Sequence, residues 1–396
     1  MKHQSLPISS FCSTGSGGTP SRAKVDGYYG GSIPWVKSGE LREGVILNTE
    51  EKITELAIKE SSAKLVPKGA LLIAMYGATI GRIAELGVEG TTNQAICHIV
   101  PDPNVADKRY LFYGLRSKVP ELIKQGTGGT QPNINQQIIR DTQIPLPPLP
   151  EQKRIAAILD KADSIRRKRQ EAVRLTEELL RSVFLDMFGD PVENSKKWPL
   201  ISSGSAIKSI EAGWSANSED RPRQKDEWAV LKISSVTSGR FLPGEYKVVA
   251  DRLIDRELLT PKRGDLLFSR ANTRELVAAT CLVEKDEPKL FLPDKLWKII
   301  PDEKTTCTEY LRYLLAYPRF REKLTKQATG TSGSMLNISQ AKVLDMEMPM
   351  PPLNLQKQFA DSVWRNYSIR NKLEAASQES ITLFNSLLQS AFKSRG

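Results

Sequence analysis

Pro145-Leu146-Pro147-Pro148-Leu149 stands just before residues 151–188, a segment of 38 residues without Gly or Pro. Proline has a fixed φ and no N–H, so the proline-rich stretch favours extended backbone. The segment after it can form one helix of about 57 Å at 1.5 Å per residue. Gly189 and Pro191 then form a typical C-terminal stop. Pro349-Met350-Pro351-Pro352-Leu353 precedes a second such segment, from about residue 355 to residue 393.

The duplication extends through the rest of the chain. Three of the matching pairs are Leu6-Pro7-Ile8-Ser9-Ser10 with Pro199-Leu200-Ile201-Ser202-Ser203, Pro67-Lys68-Gly69-Ala70-Leu71-Leu72 with Lys262-Arg263-Gly264-Asp265-Leu266-Leu267, and Tyr110-Leu111-Phe112-Tyr113 with Tyr310-Leu311-Arg312-Tyr313. The matches keep their order, and their separation grows only from 193 residues (Ile8 and Ile201) to 204 residues (Pro145 and Pro349). The period is too long for a solenoid. The pattern therefore predicts two related units, each a globular domain followed by a long helix.

Each globular part has a mixed pattern that indicates the α+β class. Short apolar runs between Gly- and Pro-rich turns predict strands at residues 70–75, 95–100, 265–269 and 296–300. Helical spacing of apolar positions predicts helices at residues 108–125 and 308–327.

The two long segments carry weak heptad seams. In the first, the seam is Ile158, Ala162, Ile165, Arg169, Ala172, Thr176, Leu179 and Val183; in the second, it is Leu373, Ala376, Ser380, Leu383 and Leu387. Neither seam is apolar enough to be stable alone. We expect the two helices to pack against each other, antiparallel, as struts between two pseudo-symmetric domains. A coiled coil that serves only oligomerisation is the alternative.

Composition places the chain among ordinary globular proteins, at 39% hydrophobic and 26% charged residues. No apolar run approaches the ~20 residues that cross a bilayer, and the N-terminus lacks the apolar core of a signal peptide, so a cytoplasmic location is expected. The net charge of +11 is spread over both halves: residues 1–150 carry 16 basic and 13 acidic side chains, and residues 191–345 carry 26 and 21. Such a surplus suits two domains that each grip a polyanion, but charge alone fits simple solubility equally well.

Catalytic chemistry is missing from the sequence. The only histidines are His3 and His98, and His98 lies in an apolar run typical of a protein core. The four cysteines are scattered without a CxxC pair, so neither a disulfide framework nor a zinc site is expected. We find no P-loop and no Asn-Pro-Pro-Tyr-like element. The basic run Arg166-Arg167-Lys168-Arg169 stands among many acidic residues, which favours a solvated or partner-facing helix over a DNA-gripping one. We expect no catalytic and no metal-binding residues.

Several stretches of the sequence resemble those of a known protein family. The stretch from Pro145 to Asp160 (PLPPLPEQKRIAAILD) resembles the opening of the central spacer helix in the specificity subunits, or HsdS proteins, of type I restriction-modification systems. Ile33-Pro34-Trp35-Val36-Lys37-Ser38-Gly39 and Thr92-Asn93-Gln94 resemble one class of their target-recognition domains. Gly264-Asp265-Leu266-Leu267-Phe268-Ser269-Arg270 resembles a second class.

This resemblance implies an α+β fold with two pseudo-symmetric target-recognition domains, separated by two long antiparallel coiled-coil helices. The implied ranges are 1–145 for the first domain, 146–190 for a central conserved region with its spacer helix, 191–345 for the second domain, and 346–396 for the C-terminal conserved region. Each domain would read one half of a bipartite double-stranded DNA target, and the helices would set the gap. Two methyltransferase subunits would dock on the helices and carry S-adenosylmethionine. Restriction subunits, the motor-nucleases, would add ATP and Mg²⁺ chemistry, so this chain itself would bind no cofactor.

Base readout needs paired donors and acceptors, and phosphate contacts need cations and amides. Polar loops that recur in both halves supply the candidates. In the first half these are Lys37, Ser38, Thr79, Arg82, Asn93, Gln94, Thr127, Gln131 and Asn133. In the second half they are Lys232, Ser235, Arg270, Asn272, Thr273, Lys295, Thr331, Ser332 and Asn337. For each residue alone, a role in a turn or at a strand end is an equal alternative. Arg270 is the strongest candidate, because an arginine at the end of an apolar strand is costly to bury unpaired.

Two further hypotheses belong to other functional classes. A coiled-coil assembly scaffold without a nucleic-acid role would explain the helices but not the divergent loops. A self-sufficient DNA-modifying enzyme is disfavoured by the missing motifs.

Overall fold

The computed structural model describes residues 4–126, 133–249, 257–330 and 335–393. The chain forms two compact units, each containing a globular part and segments of two long helices. Unit 1 consists of Met1–Gln170 and Ala375–Gly396, and unit 2 consists of Glu171–Glu374. Both units mix helices with sheets, which confirms the α+β class. The borders between the units fall inside the long helices, and the domain ranges given above stay predictions.

The strands of unit 1 are β1 Ser5–Pro7, β2 Cys12–Ser16, β3 Tyr29–Val36, β4 Val45–Ile46, β5 Glu51–Ile53, β6 Leu71–Ala74, β7 Ile83–Leu86, β8 Thr91–Thr92, β9 Ile96–Pro101 and β10 Gln143–Pro145. Those of unit 2 are β11 Leu200–Ser202, β12 Ile207–Ala212, β13 Ser218–Glu219, β14 Ala229–Leu231, β15 Tyr246–Val249, β16 Leu266–Ser269, β17 Ala271–Asn272, β18 Thr280–Leu282, β19 Leu290–Phe291, β20 Leu296–Pro301, β21 Leu336–Asn337 and β22 Glu347–Pro349. The helices are α1 Val25–Tyr28, α2 Glu55–Glu60, α3 Lys108–Gln125, α4 Gln136–Asp141, α5 Leu149–Phe188, α6 Ser234–Thr237, α7 Thr308–Ala316, α8 Pro318–Lys326, α9 Gln340–Leu344 and α10 Leu353–Phe392.

The sheets repeat between the units. The strand order β2-β9-β6-β7 in unit 1 has its counterpart in β12-β20-β16-β18 in unit 2, and β5-β3-β8 has its counterpart in β15-β14-β19. Antiparallel pairs beside the proline-rich stretches also match, with Leu6 opposite Ile144 and Ile201 opposite Met348. The duplication predicted from the sequence is therefore present in the fold.

The predicted strands and helices lie within a few residues of their observed positions, with one exception. The helix predicted at residues 308–327 is two helices, α7 and α8, because Pro318 begins the second of them. The residue before a proline is pushed towards extended backbone, and Tyr317 has φ −62° and ψ 124°. Pro120, in contrast, lies inside the unbroken helix α3 of unit 1.

A buried glutamine joins each globular part to its long helix. Gln152 accepts a hydrogen bond from the Asp107 N–H (2.8 Å) and donates to Val105 O (2.9 Å) and Pro147 O (2.8 Å). Gln356 makes the equivalent hydrogen bonds in unit 2. Its amide oxygen accepts from the Thr306 hydroxyl (2.8 Å), and its amide nitrogen donates to Pro351 O (2.8 Å). Both side chains are almost fully buried. The proline-rich stretch, the loop before the domain helix and the first turn of the long helix are thus fixed to one another.

Replacing Gln356 with Ala should lower the free energy of unfolding by about 2–3 kcal/mol, because it leaves several buried polar groups without partners. Urea unfolding followed by circular dichroism measures the effect. Gln358→Ala on the same helix is the control, since that side chain is exposed and its loss should change the stability by less than about 0.5 kcal/mol. Equal unfolding midpoints for the two variants would contradict this role of Gln356.

The long helices α5 and α10 contact each other within each unit, and the contacts run antiparallel. In unit 1, the Arg169 guanidinium donates to Ala376 O (2.6 Å), and Phe384 packs in the same core as Leu159. In unit 2, Asn366 donates to Thr176 O (3.1 Å). Both helices have 40 residues, and α5 ends before Gly189, whose φ of +76° suits the left-handed stop expected there.

The predicted heptad seams are wrong by about one residue at several positions. Ile158, at 43% exposed, Leu179, at 55%, and Leu383, at 58%, lie on the surface. The neighbouring Leu159 and Leu180 are buried instead. The globular part of each unit also packs on these helices. The buried face is therefore determined by both contacts and not by helix-helix packing alone.

The basic run of α5 is held inside unit 1. Arg166 and Arg167 pair with the buried Asp163, at 2.7 and 2.6 Å. Arg166 also approaches Glu43, at 3.5 Å, and Arg167 donates to the Glu43 carbonyl. Hydrogen bonds from the two guanidiniums hold the pKa of Asp163 below its ordinary value against the effect of burial. Both guanidiniums are therefore bound by acceptors within unit 1, with Arg166 largely buried and Arg167 partly exposed.

Among the described residues, no helix is both long and apolar enough to cross a membrane.

Candidate nucleic-acid interface

In both units the backbone just after one strand passes very close to the end of another strand, and a glycine stands at the point of closest approach. A Cβ atom on Gly17 would lie 2.1 Å from Thr92 O, and one on Gly213 would lie 1.9 Å from Leu292 O. The backbones are hydrogen-bonded at these points, from Gly18 N to Thr92 O (2.9 Å) and from Trp214 N to Leu292 O (2.9 Å). No larger residue fits without a shift of the backbone. Glycine is thus required at the corresponding place of each unit.

Each crossing brings a hydroxyl onto a polar side chain of the opposite segment. The Thr19 hydroxyl donates to the Gln94 amide oxygen in unit 1, and the Ser215 hydroxyl donates to the Asp294 carboxylate in unit 2. Both pairs are exposed. They offer donor and acceptor groups next to each other, as base edges require.

In unit 1, several predicted residues meet where β6 ends. Met75, which follows β6, donates to Ala95 O (2.8 Å) beside Gln94 and accepts from Ile134 N (2.8 Å) beside Asn133. Arg82 N donates to Thr79 O (3.0 Å), and Ala74 N donates to Arg82 O (2.9 Å). Asn93 also lies at this end of β6, because its carbonyl accepts a hydrogen bond from Ile96 N (3.2 Å) at the start of β9. The predicted residues at this end of β6 are Thr79, Arg82, Asn93, Gln94 and Asn133.

In unit 2, the equivalent strand is β16, and the predicted residues meet at its corresponding end. Arg270 N donates to Lys295 O (3.1 Å), and Ile338 N donates to Arg270 O (2.9 Å). β17 and β21 pair there, with Asn272 opposite Leu336 and Ala271 opposite Asn337. The predicted residues in this cluster are Arg270, Asn272, Thr273, Lys295 and Asn337. Their positions match the unit 1 cluster, but the residue types differ.

Arg270 lies at the surface of this cluster. Its Nε donates to Asp294 O (3.0 Å), and its Nη2 is 3.8 Å from the Asp294 carboxylate. The guanidinium carbon is 5.9 Å from the ring centroid of Trp297. One third of the side chain is exposed, so the group is oriented but still has donors available for an incoming acceptor.

Two predicted lysines are already paired. Lys37 contacts Glu50 at 2.8 Å and Glu51 at 3.1 Å, and Lys232 contacts Asp220 at 2.9 Å. Hydrogen bonding to Glu50 raises the pKa of Lys37, and hydrogen bonding to Lys37 lowers the pKa of Glu50. Lys37 is still next to the first cluster, because Asn93 N donates to Val36 O (2.9 Å). A phosphate would have to compete with these carboxylates for either lysine.

Ser235 does not belong in the candidate set, because its side chain is fully buried and DNA cannot reach it on this surface. Ser38 is half-buried and begins a short 3-10 helix beside Lys37. Thr127, Gln131, Thr331 and Ser332 lie outside the described residues.

The structure adds three residues that the sequence reasoning missed: Thr19, Ser215 and Asp294. The signal was present in part, since Gly15-Ser16-Gly17-Gly18 is a glycine-rich stretch. The stretch overlaps the end of the strand β2 (Cys12–Ser16), which pairs with β9. Gly213 next to Trp214 gives no comparable pattern.

Acid-base and metal chemistry find little support in the described residues. Burial lowers the pKa of His98 and keeps the ring neutral near pH 7; its ring packs against Gly15. No group of three or more His, Cys, Asp or Glu side chains is placed to hold a metal ion in the ranges that the structure describes.

Comparison with known proteins finds similarity to the family that the sequence resembles. Residues 3–175 match the family model described as type I restriction modification DNA specificity domain. The chain is 31% identical over 204 residues to the type I restriction enzyme MjaIX specificity subunit of Methanocaldococcus jannaschii, covering 50% of this chain and 46% of that relative. It is 26% identical over 376 residues to the MjaVIII specificity subunit of the same organism, covering 90% of this chain and 82% of the relative. The first alignment thus spans just under half of the relative's own length, and the second spans most of it.

The fold has a solved counterpart over its whole length. The S subunit of a type I restriction-modification system from M. genitalium has a TM-score of 0.60 and 14% sequence identity, and the match covers 98% of this chain and 95% of that chain. At this identity the likeness concerns the fold alone. The family model over residues 3–175 and the alignments with curated relatives show that the chain is similar to type I restriction-modification specificity subunits.

Proposed function

We propose that this chain is the non-catalytic DNA-specificity subunit of a type I restriction-modification complex, and that each unit reads one half of a bipartite DNA target. One observation carries the proposal most directly. The same surface, at the ends of β6 and β16, bears polar and cationic side chains in both units, but their types differ. Two equal frames with different reading surfaces suit two different half-sites, because sequence is read by the pattern of donors and acceptors.

The long helices are proposed to act as the spacer. In each unit, the segments of α5 and α10 are joined by hydrogen bonds and shared apolar packing. Because helices are stiff and of fixed rise, a paired coiled coil would hold the two reading surfaces at a set separation. The gap between the half-sites would then follow from the length of the helices.

The partners proposed are two methyltransferase subunits, which carry S-adenosylmethionine, and restriction subunits, which use ATP and Mg²⁺, all acting on DNA in the cytoplasm. Exposed apolar side chains on the long helices support docking there. They are Ile158, Ile165 and Leu383 in unit 1, and Leu175, Leu179, Leu185 and Ile369 in unit 2. Exposed apolar side chains in this number on two helices fit a surface that a partner covers.

A binding selection tests the proposal. The chain, alone or with its methyltransferase, is incubated with random duplexes at physiological salt, and bound duplexes are sequenced. We expect one bipartite motif with a fixed gap, bound at least about 1000-fold more tightly than scrambled DNA. Equal affinity for all duplexes would contradict the proposal and favour an assembly scaffold.

Within that assay, Arg270→Ala should weaken binding by about 1–3 kcal/mol. If Arg270 contacts a base, the variant should also lose sequence preference at one position. If it contacts a phosphate, binding of all duplexes should weaken equally, and the slope of log affinity against log salt concentration should fall by about one. Arg221→Ala is the matched control, since that guanidinium is neutralised by Glu219 and Glu227, both at 2.9 Å. Unchanged affinity in the Arg270 variant would remove the residue from the interface.

A further inference from the structure

Unit 2 contains an arginine-rich cavity that DNA reading and helix spacing do not explain. Its volume is about 360 Å³. It lies between α5, α7, α8 and α10, with the segments around Gly239 and Thr280 closing it. Five arginines line it: Arg181, Arg240, Arg312, Arg321 and Arg370.

The corresponding place in unit 1 is filled. Leu180 of α5 and Phe384 of α10 are both the thirty-second residue of their helices. In unit 1, the guanidinium carbons of Arg116 and Arg166 lie 4.6 and 5.5 Å from the centroid of the Phe384 ring. In unit 2, the smaller Leu180 stands at the position of that ring. The repeat aligns Tyr113 with Tyr313, a separation of 200 residues, and the same separation aligns Arg116 with Ala316. The cavity exists because these two side chains are smaller.

The charges around the cavity leave a positive surplus. Glu177 lines it, Glu374 pairs with Arg240, and Glu284 pairs with the buried Arg370. Five arginines against these three carboxylates leave a surplus of two positive charges. The guanidiniums of Arg312 and Arg321 donate to backbone carbonyls: Arg312 to Gly239 O (2.7 Å), and Arg321 to Glu275 O (2.7 Å) and Val277 O (2.8 Å). Carbonyls satisfy donors but do not neutralise a buried charge.

Several residues of the cavity lining carry buried donors that have no hydrogen-bond partner among the described residues. They are Thr280 Oγ1, Arg240 Nε, Arg312 Nε and Arg370 Nε, the last of which lies 3.7 Å from the Glu374 carboxylate. Buried polar groups normally find partners. Donors of this kind beside a surplus of positive charge suit a phosphate monoester, which carries about −1.5 to −2 charge near pH 7 and three strong acceptor oxygens.

The rest of the lining is apolar, with Leu180, Phe184, Ala279 and Ala316. A bare ion would leave this part empty, whereas the volume reaches the lower range of small-molecule pockets. We propose that the arginine-rich cavity of unit 2 binds a small organic phosphate monoester. The site is independent of DNA reading, and its test includes no DNA.

Thermal unfolding and calorimetry of the full chain with adenosine monophosphate as the probe test this site. We expect the nucleotide, at millimolar concentration, to raise the melting temperature by at least about 3 °C. Adenosine, which lacks the charge, should give no shift. Inorganic phosphate should bind at least about tenfold more weakly, because it leaves the apolar wall uncovered.

Two variants locate the binding. Leu180→Phe rebuilds the filled arrangement of unit 1 and should abolish nucleotide binding while leaving the fold intact by circular dichroism. Arg181→Gln removes an exposed charge at the cavity and should weaken binding about tenfold. Lys168→Gln, an equal charge change at an exposed position of the same helix, should have no effect. Absence of any shift with the nucleotide, or equal binding by wild type and Arg181→Gln, would overturn the assignment, whether or not Leu180→Phe folds.

Discussion

Replacing residues 1–145 with the same segment of another family member should change one half of the DNA target and leave the other half unchanged. The unit 1 cluster at the end of β6 lies wholly within this segment, and the cluster at β16 lies outside it. Each mismatched base pair costs about 1–3 kcal/mol, so a half-site with three new bases should reduce affinity for the original duplex by more than about 100-fold.

The junction and the donor can be chosen from the contacts. β10 ends at Pro145 and pairs with β1, so an exchange at residue 145 keeps this strand pair together. Two aromatic contacts cross to α10: Tyr110 with Phe392, at 4.8 Å between ring centroids, and Tyr113 with Phe384, at 6.0 Å. A donor that keeps both tyrosines should retain the packing on the helix.

Selection of bound duplexes reads the outcome. The reciprocal exchange of residues 191–345 is the control, and it should change only the other half-site. A hybrid that alters both halves, or neither, would contradict independent reading by the two units.

Lengthening both long helices by one heptad should widen the gap between the half-sites and leave their sequences unchanged. Seven residues add about 10.5 Å, which is about three base pairs at 3.4 Å each. Seven residues also complete nearly two helical turns, so the faces of the helices stay within about 20° of their present orientation. The original spacing should then be bound at least about 100-fold more weakly.

Both helices must be lengthened, because α5 and α10 contact each other in each unit. The insertions belong at Gln170/Glu171 and at Glu374/Ala375, where the units meet along the chain. Three base pairs also rotate one half-site about the DNA axis, and so the assay offers duplexes with a series of gap lengths. Lengthening α5 alone is the control and should disrupt binding at every gap. An unchanged preferred gap after the double insertion would refute the spacer role.

The frame of this protein could be predicted because its signals are local. Prolines and glycines determine the backbone near themselves, and the repeated proline-rich stretch therefore located both long helices to within two residues of Leu149 and Leu353. The order of the repeats then implied two equal folds. Short apolar runs marked β6, β9, β16 and β20 for the same reason.

The features that could not be predicted depend on segments far apart in the sequence. The buried side of α5 includes Leu159 and not Ile158, because the globular part packs there as well. Arg167 is held by the Glu43 carbonyl, 124 residues away, which no charge pattern along the helix reveals. Ser235 is buried under its own domain.

In the candidate site, too, the local features could be predicted and the contacts between distant segments could not. Polar loops that recur in both halves supplied the candidate residues, and the structure gathers ten of them at the ends of two equivalent strands. The pairs Thr19–Gln94 and Ser215–Asp294 were missed, since each joins residues more than 70 positions apart.

Mapping adenine methylation across the genome, with and without this gene, tests the central claim most directly. Two units that read two half-sites for a methyltransferase predict that one bipartite motif, with a fixed gap between unequal halves, loses its methylation when the gene is deleted. The same motif should return when the gene is restored. A methylation pattern that does not change on deletion, in cells that express the methyltransferase, would contradict the account.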